Sequence, residues 1–432
     1  MESDQTKKSG FGSFTRNYWV AILMEFFERG SYYGVMSVLS VYLVLNTADG
    51  GLGFSKESVG VIKSTITPLL YLLPILAGAL ADRFGYRRLL MLAFVLMSSG
   101  YLLTSQFTSY STVFASLLLM AVGAGIFKPI ISGTIARETN EHNSSLGFGV
   151  FYWSINLGAF IFPLILVPYL KGIGWNWIFI MASIGTGWLL LLNLFAFREP
   201  PRPENSRSLG EVLQGILLVL KDYRFVTMIV IYSMFWILYF QMFDTVLWYL
   251  TEHVDMQPVN NAVNGLMGLF GAQTSWQFEA EHVTVVNAGT IIALQLVVSS
   301  IVKHTRALPT MIIGIALGTA GMALLAVSMQ AWVFIAGLIL FSLGEMTAHP
   351  KFISYVGLIA PPDKKALYLG YSFLYGVIGS GVGGILGAYL YVFFVEQRNQ
   401  PAQLWLVFSF IGVLTIVGLI LYDKLLAPDR KK

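Results

Sequence analysis

The chain contains about twelve apolar stretches of roughly 20 to 28 residues, each long enough to cross a hydrocarbon core of about 30 Å as a helix. They begin near Tyr18, Ser58, Leu89, Thr112, Gly147, Trp177, Phe225, Val283, Pro309, Trp332, Leu367 and Leu404. Apolar residues make up 56% of the chain and charged residues 12%, a balance that the surface of a soluble domain does not tolerate. The sequence therefore predicts an all-α membrane protein with twelve transmembrane helices.

The basic residues predict how these spans are oriented. With the N-terminus in the cytoplasm, most of the 27 Lys and Arg fall in inner loops, and only Lys56, Lys171 and Arg398 fall in outer ones. This bias follows the positive-inside rule, so we expect a multi-pass protein of the cell membrane with both termini cytoplasmic. Met1 to Arg16 is polar and lacks the features of a cleaved signal peptide. The net charge of +4 reflects topology, and we expect no nucleic-acid partner.

Several chemical classes are excluded by what the sequence lacks. There is no cysteine, which rules out disulfides, thiol catalysis and thiolate metal sites. The sequence also shows no nucleophile–base set, metal cluster or phosphate-binding loop. We therefore expect neither an enzyme nor a metal site, and no cofactor other than protons.

A cytoplasmic linker divides the spans into two groups of six. Residues 199–223 begin with a proline- and charge-rich segment and continue as an amphipathic stretch, which separates residues 1–198 from residues 224–432. Two six-helix bundles with a polar site at the midplane are the arrangement of transporters that rock around that site. A second long connection, 253–281, lies outside, and its Met, Phe and Trp residues predict contact with the membrane surface.

Three ionisable residues lie within the first span: Glu25, Glu28 and Arg29. A charge near the bilayer centre costs about 2.5–3.5 kcal/mol even on lenient scales, so such residues are functional candidates by default. Helical spacing places Tyr32 on the same face. We expect this face to line a watery cavity; the alternative is that the two carboxylates only hold the arginine in a satisfied ion cluster.

Two more charged residues, Lys128 and Glu345, fall in the middle of later spans, beside glycines and prolines that permit close helix contact. Three acids against two bases leave one excess negative charge, so we expect one carboxylate to bind a proton. That proton is a candidate coupling ion. Lys351 could cancel the charge by reaching inward; otherwise it extends toward the cytoplasmic end or meets an acid there.

The loop after the second span resembles the cytoplasmic signature of the major facilitator superfamily, in which an aspartate and arginines latch neighbouring helix ends. The alternative is an ordinary basic inner loop. The matching residues are Gly78, Asp82, Arg83, Gly85 and Arg87.

Four further motifs, in order and each in its expected span, resemble those of the proton-dependent oligopeptide transporter family. They are Glu25-x-x-Glu28-Arg29-x-x-Tyr32-Tyr33-Gly34, Gly123-x-Gly125-x-x-Lys128-Pro129, Phe151-Tyr152-Trp-Ser-Ile155-Asn156-Leu-Gly158, and Gly344-Glu345 with Pro350. The resemblance implies a proton-driven symporter of di- and tripeptides with the major facilitator fold. It also implies a short peptide, protons and the lipid bilayer as partners, and we expect a monomer.

The resemblance assigns roles to individual residues. Arg29 and Lys128 would hold the peptide carboxylate, and Glu345 would meet its amino terminus. Asn156 and Asn287 would contact the peptide backbone. The pocket would be lined by Tyr32, Tyr33 and Tyr71. Proton coupling would involve Glu25 and Glu28 together with Arg29 and Lys128.

The chain also departs from the family pattern. Gly30, Met36 and Phe240 stand where the family usually has phenylalanine, arginine and often an acid, and Ser372 replaces a tryptophan. His349 replaces a small residue one turn from Glu345, where it could contact substrate or serve only in packing. Another anionic or amide-containing metabolite is therefore the main alternative substrate, and a non-transporting membrane sensor is a remote alternative.

Two ion pairs are predicted at the external gate. The resemblance aligns Lys56, which begins the second span, with a basic residue that pairs with an acid ending the seventh, here Glu252. Lys63 and Asp244 lie one level deeper, roughly 10–12 Å below at 1.5 Å per residue. We expect these two to pair when the outside is closed and to separate when it opens; alternatively each pairs elsewhere or extends toward the membrane surface.

Overall fold

The computed structural model describes residues 10–200, 209–271 and 275–427. All of the regular secondary structure in these ranges is helical, apart from one isolated bridge between Asp255 and Gln330. The predicted all-helical architecture is confirmed. Most of the charged linker segment, residues 201–208, lies outside the described ranges.

The first nine α-helices are α1 (Arg16–Met36), α2 (Leu39–Val44), α3 (Lys56–Phe84), α4 (Tyr86–Gln106), α5 (Tyr110–Glu138), α6 (Ser144–Ile161), α7 (Val167–Ile173), α8 (Asn176–Gly187) and α9 (Leu189–Phe195). The next ten are α10 (Leu209–Leu220), α11 (Tyr223–Gln241), α12 (Thr245–His253), α13 (Gln257–Leu269), α14 (Glu281–Val302), α15 (Ala307–Val327), α16 (Ala331–Ile359), α17 (Lys365–Tyr371), α18 (Leu374–Tyr391) and α19 (Pro401–Leu425). Short 3₁₀ turns occupy Phe11–Ser13, Thr47–Asp49 and Pro362–Lys364, and π-helical turns occupy Phe162–Leu166 and Val392–Gln397.

The helices reproduce the predicted spans. Within the described ranges, 11 helical segments are long and apolar enough to cross a membrane. Helix α1 has 21 residues, which is also sufficient, but its internal charges lower its apolar character. Counted with α1, the spans number twelve, and their starts lie within a few residues of those expected from the sequence.

Several spans consist of two helices in succession. The seventh span breaks between Gln241 and Thr245, where α11 ends and α12 begins. The eleventh breaks at Ser372 and Phe373, between α17 and α18. The apolar runs gave no indication of these breaks, because a run of hydrophobic residues has the same composition whether or not the helix is continuous.

The described chain forms two compact units. One contains the residues up to Met36 and Thr65–Leu218, and the other contains Ser37–Ser64 and the residues from Val219 onward. Helix α3 contributes to both. Residues 37–64, assigned from the sequence to the N-terminal bundle, therefore belong to the second unit, and the division into six and six spans stays a prediction.

Glycines allow close helix packing within each unit. In the second unit α15 packs along α16, and a Cβ on Gly344 would lie 2.5 Å from the backbone of both Gly314 and Gly318. In the first unit, Gly85 between α3 and α4 has a positive φ of 99°, which strongly favours glycine over residues with a side chain. These two glycines belong to the predicted motifs, and the structure gives a physical reason for each.

Candidate functional site

The first unit places the charged residues of α1 together. The Arg29 guanidinium donates two hydrogen bonds to Glu28, one of them from Nη2 to Oε1 at 2.7 Å. Its Nε lies 3.7 Å from Oε1 of Glu25. Both carboxylates are buried. The expected cluster on one face of the first span is therefore present, although its two acids are bound differently.

Glu25 is the more weakly held acid. Its Oε2 is buried and has no hydrogen-bond partner among the described residues, whereas both oxygens of Glu28 bind Arg29. A buried charged oxygen without a partner is costly. A proton or a polar ligand at Glu25 would remove that cost.

Lys128 on α5 lies within electrostatic range of Glu25, Glu28 and Arg29. Its Nζ is 5.1 Å from the centre of the Tyr71 ring, a cation–π distance. The helix approaches α3 closely here, since a Cβ on Gly125 would lie 2.8 Å from Cβ of Leu73. The glycine of this motif thus permits close packing of α5 against α3, the helix that carries Tyr71.

Aromatic residues surround these charges. Arg29 lies 4.9 Å from the ring centre of Tyr32, and Tyr32 contacts Tyr33 edge to face. Tyr101 is completely buried and within electrostatic range of Glu28. The sequence motifs did not indicate Tyr101, because it stands in an ordinary apolar span with no charged neighbour in sequence.

Asn156 takes a local role. Its Nδ2 donates to the carbonyl of Tyr152, one turn earlier in α6, at 2.9 Å. The side chain is buried at 8% exposure. Binding a peptide backbone with this amide N–H would require that bond to be exchanged or shared.

In the second unit, Glu345 on α16 binds Asn287 on α14. Asn287 Nδ2 lies 3.1 Å from Glu345 Oε2 and 2.9 Å from Oγ of Ser342. No lysine or arginine in the described ranges pairs with Glu345. Lys351, also buried, instead donates to the carbonyl of Thr305 at 2.7 Å. Its partner is therefore a backbone oxygen, whereas the sequence suggested that it would either reach inward to cancel the excess negative charge or meet an acid.

His349 lies in an aromatic enclosure of the same unit. Its Nδ1 is 3.2 Å from the hydroxyl of Tyr232, and its ring contacts those of Trp236 and Tyr375. Tyr232 stacks on Phe352 with 3.9 Å between ring centres. The ring orientation of His349 is therefore held by its neighbours. No sequence motif indicated Tyr232, which precedes Trp236 by one turn.

All four proposed gate residues belong to the second unit, and the structure brings them together in the predicted pairs. Lys63 Nζ lies 3.1 Å from Asp244 Oδ1, and both side chains are almost fully buried. Lys56 Nζ lies 2.6 Å from Glu252 and 2.5 Å from Glu396, a partner that no motif indicated.

The inner pair lies at the break in the seventh span. Asp244 is the residue before α12 and has a non-helical backbone. Beside it, Ser40 Oγ donates to the carbonyl of Phe243 at 2.6 Å, and Trp248 Nε1 donates to the carbonyl of Ser40 at 2.9 Å. The Phe243 carbonyl at the helix break and the indole N–H of Trp248 thus both find a partner in α2.

The residues of the cytoplasmic motif contact neighbouring helix ends, as the sequence predicted. Asp82 binds Arg137 at the end of α5, with 2.7 Å between Oδ1 and Nη2. Arg87 donates to main-chain carbonyls at Asn193 and Leu194, and Arg83 lies 5.4 Å from the ring centre of Phe84. The structure therefore shows the aspartate held by an arginine outside the motif.

Comparisons with known proteins agree with this architecture. A model of the Major Facilitator Superfamily matches residues 19–276. A di-/tripeptide transporter of Lactococcus lactis subsp. lactis (strain IL1403) is 32% identical over 233 residues, which cover 50% of this chain and 46% of the relative. Dipeptide and tripeptide permease A of Escherichia coli (strain K12) is 30% identical over 185 residues, covering 42% and 35%. The matched segments thus span less than half of each relative.

A solved structure of a POT family transporter in complex with 5-aminolevulinic acid covers 97% of this chain and 98% of its own, with a TM-score of 0.77 and 22% identity. At that identity the likeness establishes the fold. The predicted major facilitator fold is confirmed, as is the multi-pass membrane character that the apolar helices indicate.

Proposed function

We propose that this chain, which belongs to the Major Facilitator Superfamily, is a proton-coupled symporter that imports di- or tripeptides or similar zwitterions by alternating access. The observation that carries the proposal is the cluster of Glu25, Glu28, Arg29 and Lys128 within spans, in which both carboxylates are buried. Charges inside a membrane are expensive, so the charges retained there are candidates for binding or transport. The relatives named as peptide transporters and permeases support transport over an enzymatic role.

The substrate would be held by its charged ends. In this proposal Arg29 and Lys128 bind a carboxylate, because guanidinium and ammonium groups form charge-assisted hydrogen bonds with it. Glu345 binds the ammonium group of the substrate. That group would be the cationic partner that the Glu345 carboxylate does not have among the described residues. A zwitterion therefore provides a partner both for the two basic residues and for Glu345, whereas a simple anion provides one only for the basic residues.

Protons would couple at the acids of α1. Glu25 already has a buried oxygen without a hydrogen-bond partner. If Arg29 moved toward a substrate carboxylate, the Glu28 carboxylate would lose its hydrogen bonds from Arg29 as well. Protonation of one acid would then accompany substrate binding. Lys56 with Glu252 and Lys63 with Asp244 would hold the external gate closed, as two successive ion pairs.

The test is uptake of labelled dialanine into proteoliposomes with an inward proton gradient. We expect accumulation above equilibrium that a protonophore abolishes and that excess unlabelled dipeptide competes away. Protein-free liposomes and the variant Glu345→Gln are the controls. Binding of dialanine without flux would favour the sensor and contradict the proposal.

A second candidate is transport of another small anionic or amide-containing metabolite. The replacements at His349 and Ser372 favour it. A thermal-shift screen of peptides, amino acids and organic anions would separate the two. Stabilisation by a non-peptide alone, with no response to dipeptides, would move the assignment to this candidate.

A further inference from the structure

The connection between α12 and α14 is long and carries charged residues only near its two ends. It contains α13, and no charged residue occurs between Asp255 and Glu279. Its polar residues are asparagine, glutamine, serine and threonine. Exposed loops in water usually carry charges, so this composition requires an explanation from the surroundings of the loop.

One face of α13 is fixed to the segment that follows it. Asn260 Oδ1 accepts from the backbone N–H of Phe278 at 2.8 Å. Asn264 makes two bonds to the backbone of Trp276, at 2.8 and 2.9 Å. Val259 on the same side is buried. These bonds determine which face of the helix points inward.

The opposite face is apolar and exposed. At about 100° per residue, Leu269 lies roughly 180° from Asn260, and Leu266 is nearby on that side. Leu266 is 58% exposed, Leu269 83% and Phe270, which follows the helix, 85%. Exposed apolar residues this large, clustered on one face, need a partner other than water.

The position of α13 identifies that partner. It joins the end of one span, at His253, to the start of another, at Glu281, so it lies at the level where spans leave the membrane. The bridge between Asp255 and Gln330 joins the segment before α13 to the start of α16. Trp332 is exposed there, a residue type that is enriched at the membrane–water boundary.

We propose that α13 lies in the membrane interface, with Leu266, Leu269 and Phe270 inserted at the boundary between lipid headgroups and acyl chains. Because the segment has no lysine or arginine, its binding depends on apolar burial and not on anionic lipid. Three side chains are too few for a stable protein interface, which buries about 1,200–2,000 Å². The anchor would hold the end of α12, where Glu252 lies.

The chain has no cysteine, so single-cysteine spin labels can test this directly. Leu269→Cys and Phe270→Cys would be compared with Asn261→Cys, an exposed polar position on the same helix. Each variant is reconstituted in phosphatidylcholine liposomes, and the collisions of the label with oxygen and with a water-soluble nickel complex are measured. Size-exclusion chromatography and circular dichroism check that each variant is folded.

We expect labels at 269 and 270 to collide preferentially with oxygen, at a depth of about 5–10 Å, and the label at 261 with nickel. Added anionic lipid should leave these depths unchanged. Nickel access at 269 and 270 equal to that at 261 would place the face in water. Low access to both reagents would mean that protein, such as a second copy, covers it. Either result would overturn the proposal, whether or not the chain transports peptides.

Discussion

Reversing the charges of the Lys63–Asp244 pair tests the gate proposal most directly. Lys63→Asp places two acids in contact at the break of the seventh span, and adding Asp244→Lys restores an ion pair of opposite polarity. We expect the single variant to lose most dialanine uptake and the double variant to recover part of it. Lys56→Met, which removes the outer cation, is the matched control.

The magnitudes follow from burial. The Lys63 and Asp244 side chains are 6% and 5% exposed, with 3.1 Å between charged atoms. Leaving one buried partner uncompensated costs about 3–5 kcal/mol. The Lys56 side chain is 9% exposed, but its partners are 37% and 43% exposed and stay partly solvated, so the outer contact should contribute less than the inner pair, about 1 kcal/mol. If the inner pair forms only when the outside is closed, its loss shifts the equilibrium between the closed and open states by roughly a hundredfold or more. Loss of the outer contact shifts the same equilibrium by about fivefold.

Two measurements separate a gate from a purely structural pair. Thermal unfolding reports on the fold, and uptake at constant protein amount reports on transport. We expect the outer contact to weaken at high salt and the inner one to respond little, because buried charges are poorly screened. Additive losses in the doubly reversed variant, with no recovery of uptake or thermal stability, would refute the reasoning.

Three other predictions concern the site and its packing. Glu28→Gln should abolish accumulation of substrate against its gradient while sparing some counterflow, and unchanged uphill uptake would remove Glu28 from proton coupling. Gly344→Ala should lower stability by about 1–3 kcal/mol because its Cβ would meet the backbone of α15, whereas Gly357→Ala on the same helix, with open space around it, should not; equal melting curves for the two variants would contradict this. Tyr232→Phe should raise the KM for dialanine about 2- to 12-fold by removing one hydrogen bond to His349, without changing the amount of folded protein. An unchanged KM in both this variant and His349→Ser would argue against a substrate role for the histidine.

Much of the architecture could be predicted because it depends on local composition. A span needs only enough consecutive apolar residues to match the bilayer, so the span starts followed from hydropathy. Glu25, Glu28 and Arg29 share a helix, and their proximity follows from helical spacing. The Lys63–Asp244 pair is a different case, since its residues lie on separate spans. The pair was predicted because both residues lie at a similar depth below the outer pair, and the structure places them 3.1 Å apart.

The partners of other polar residues could not be predicted, because they depend on which helices become neighbours. Asp82 binds Arg137, which lies 55 residues away and outside the motif. Lys351 binds the carbonyl of Thr305, and Glu396 joins Lys56. Each contact joins segments that are far apart in the sequence.

The sequence alone therefore determined the membrane environment, the number of spans and the presence of costly charges inside them, because the free energy of transfer into lipid depends on each segment by itself. Only the tertiary structure decided which carboxylate is fully paired, where the seventh span breaks and why residues 37–64 join the second unit. These features arise from contacts such as that of Ser40 with Phe243, across 203 residues, whose free energy exists only when the helices are packed.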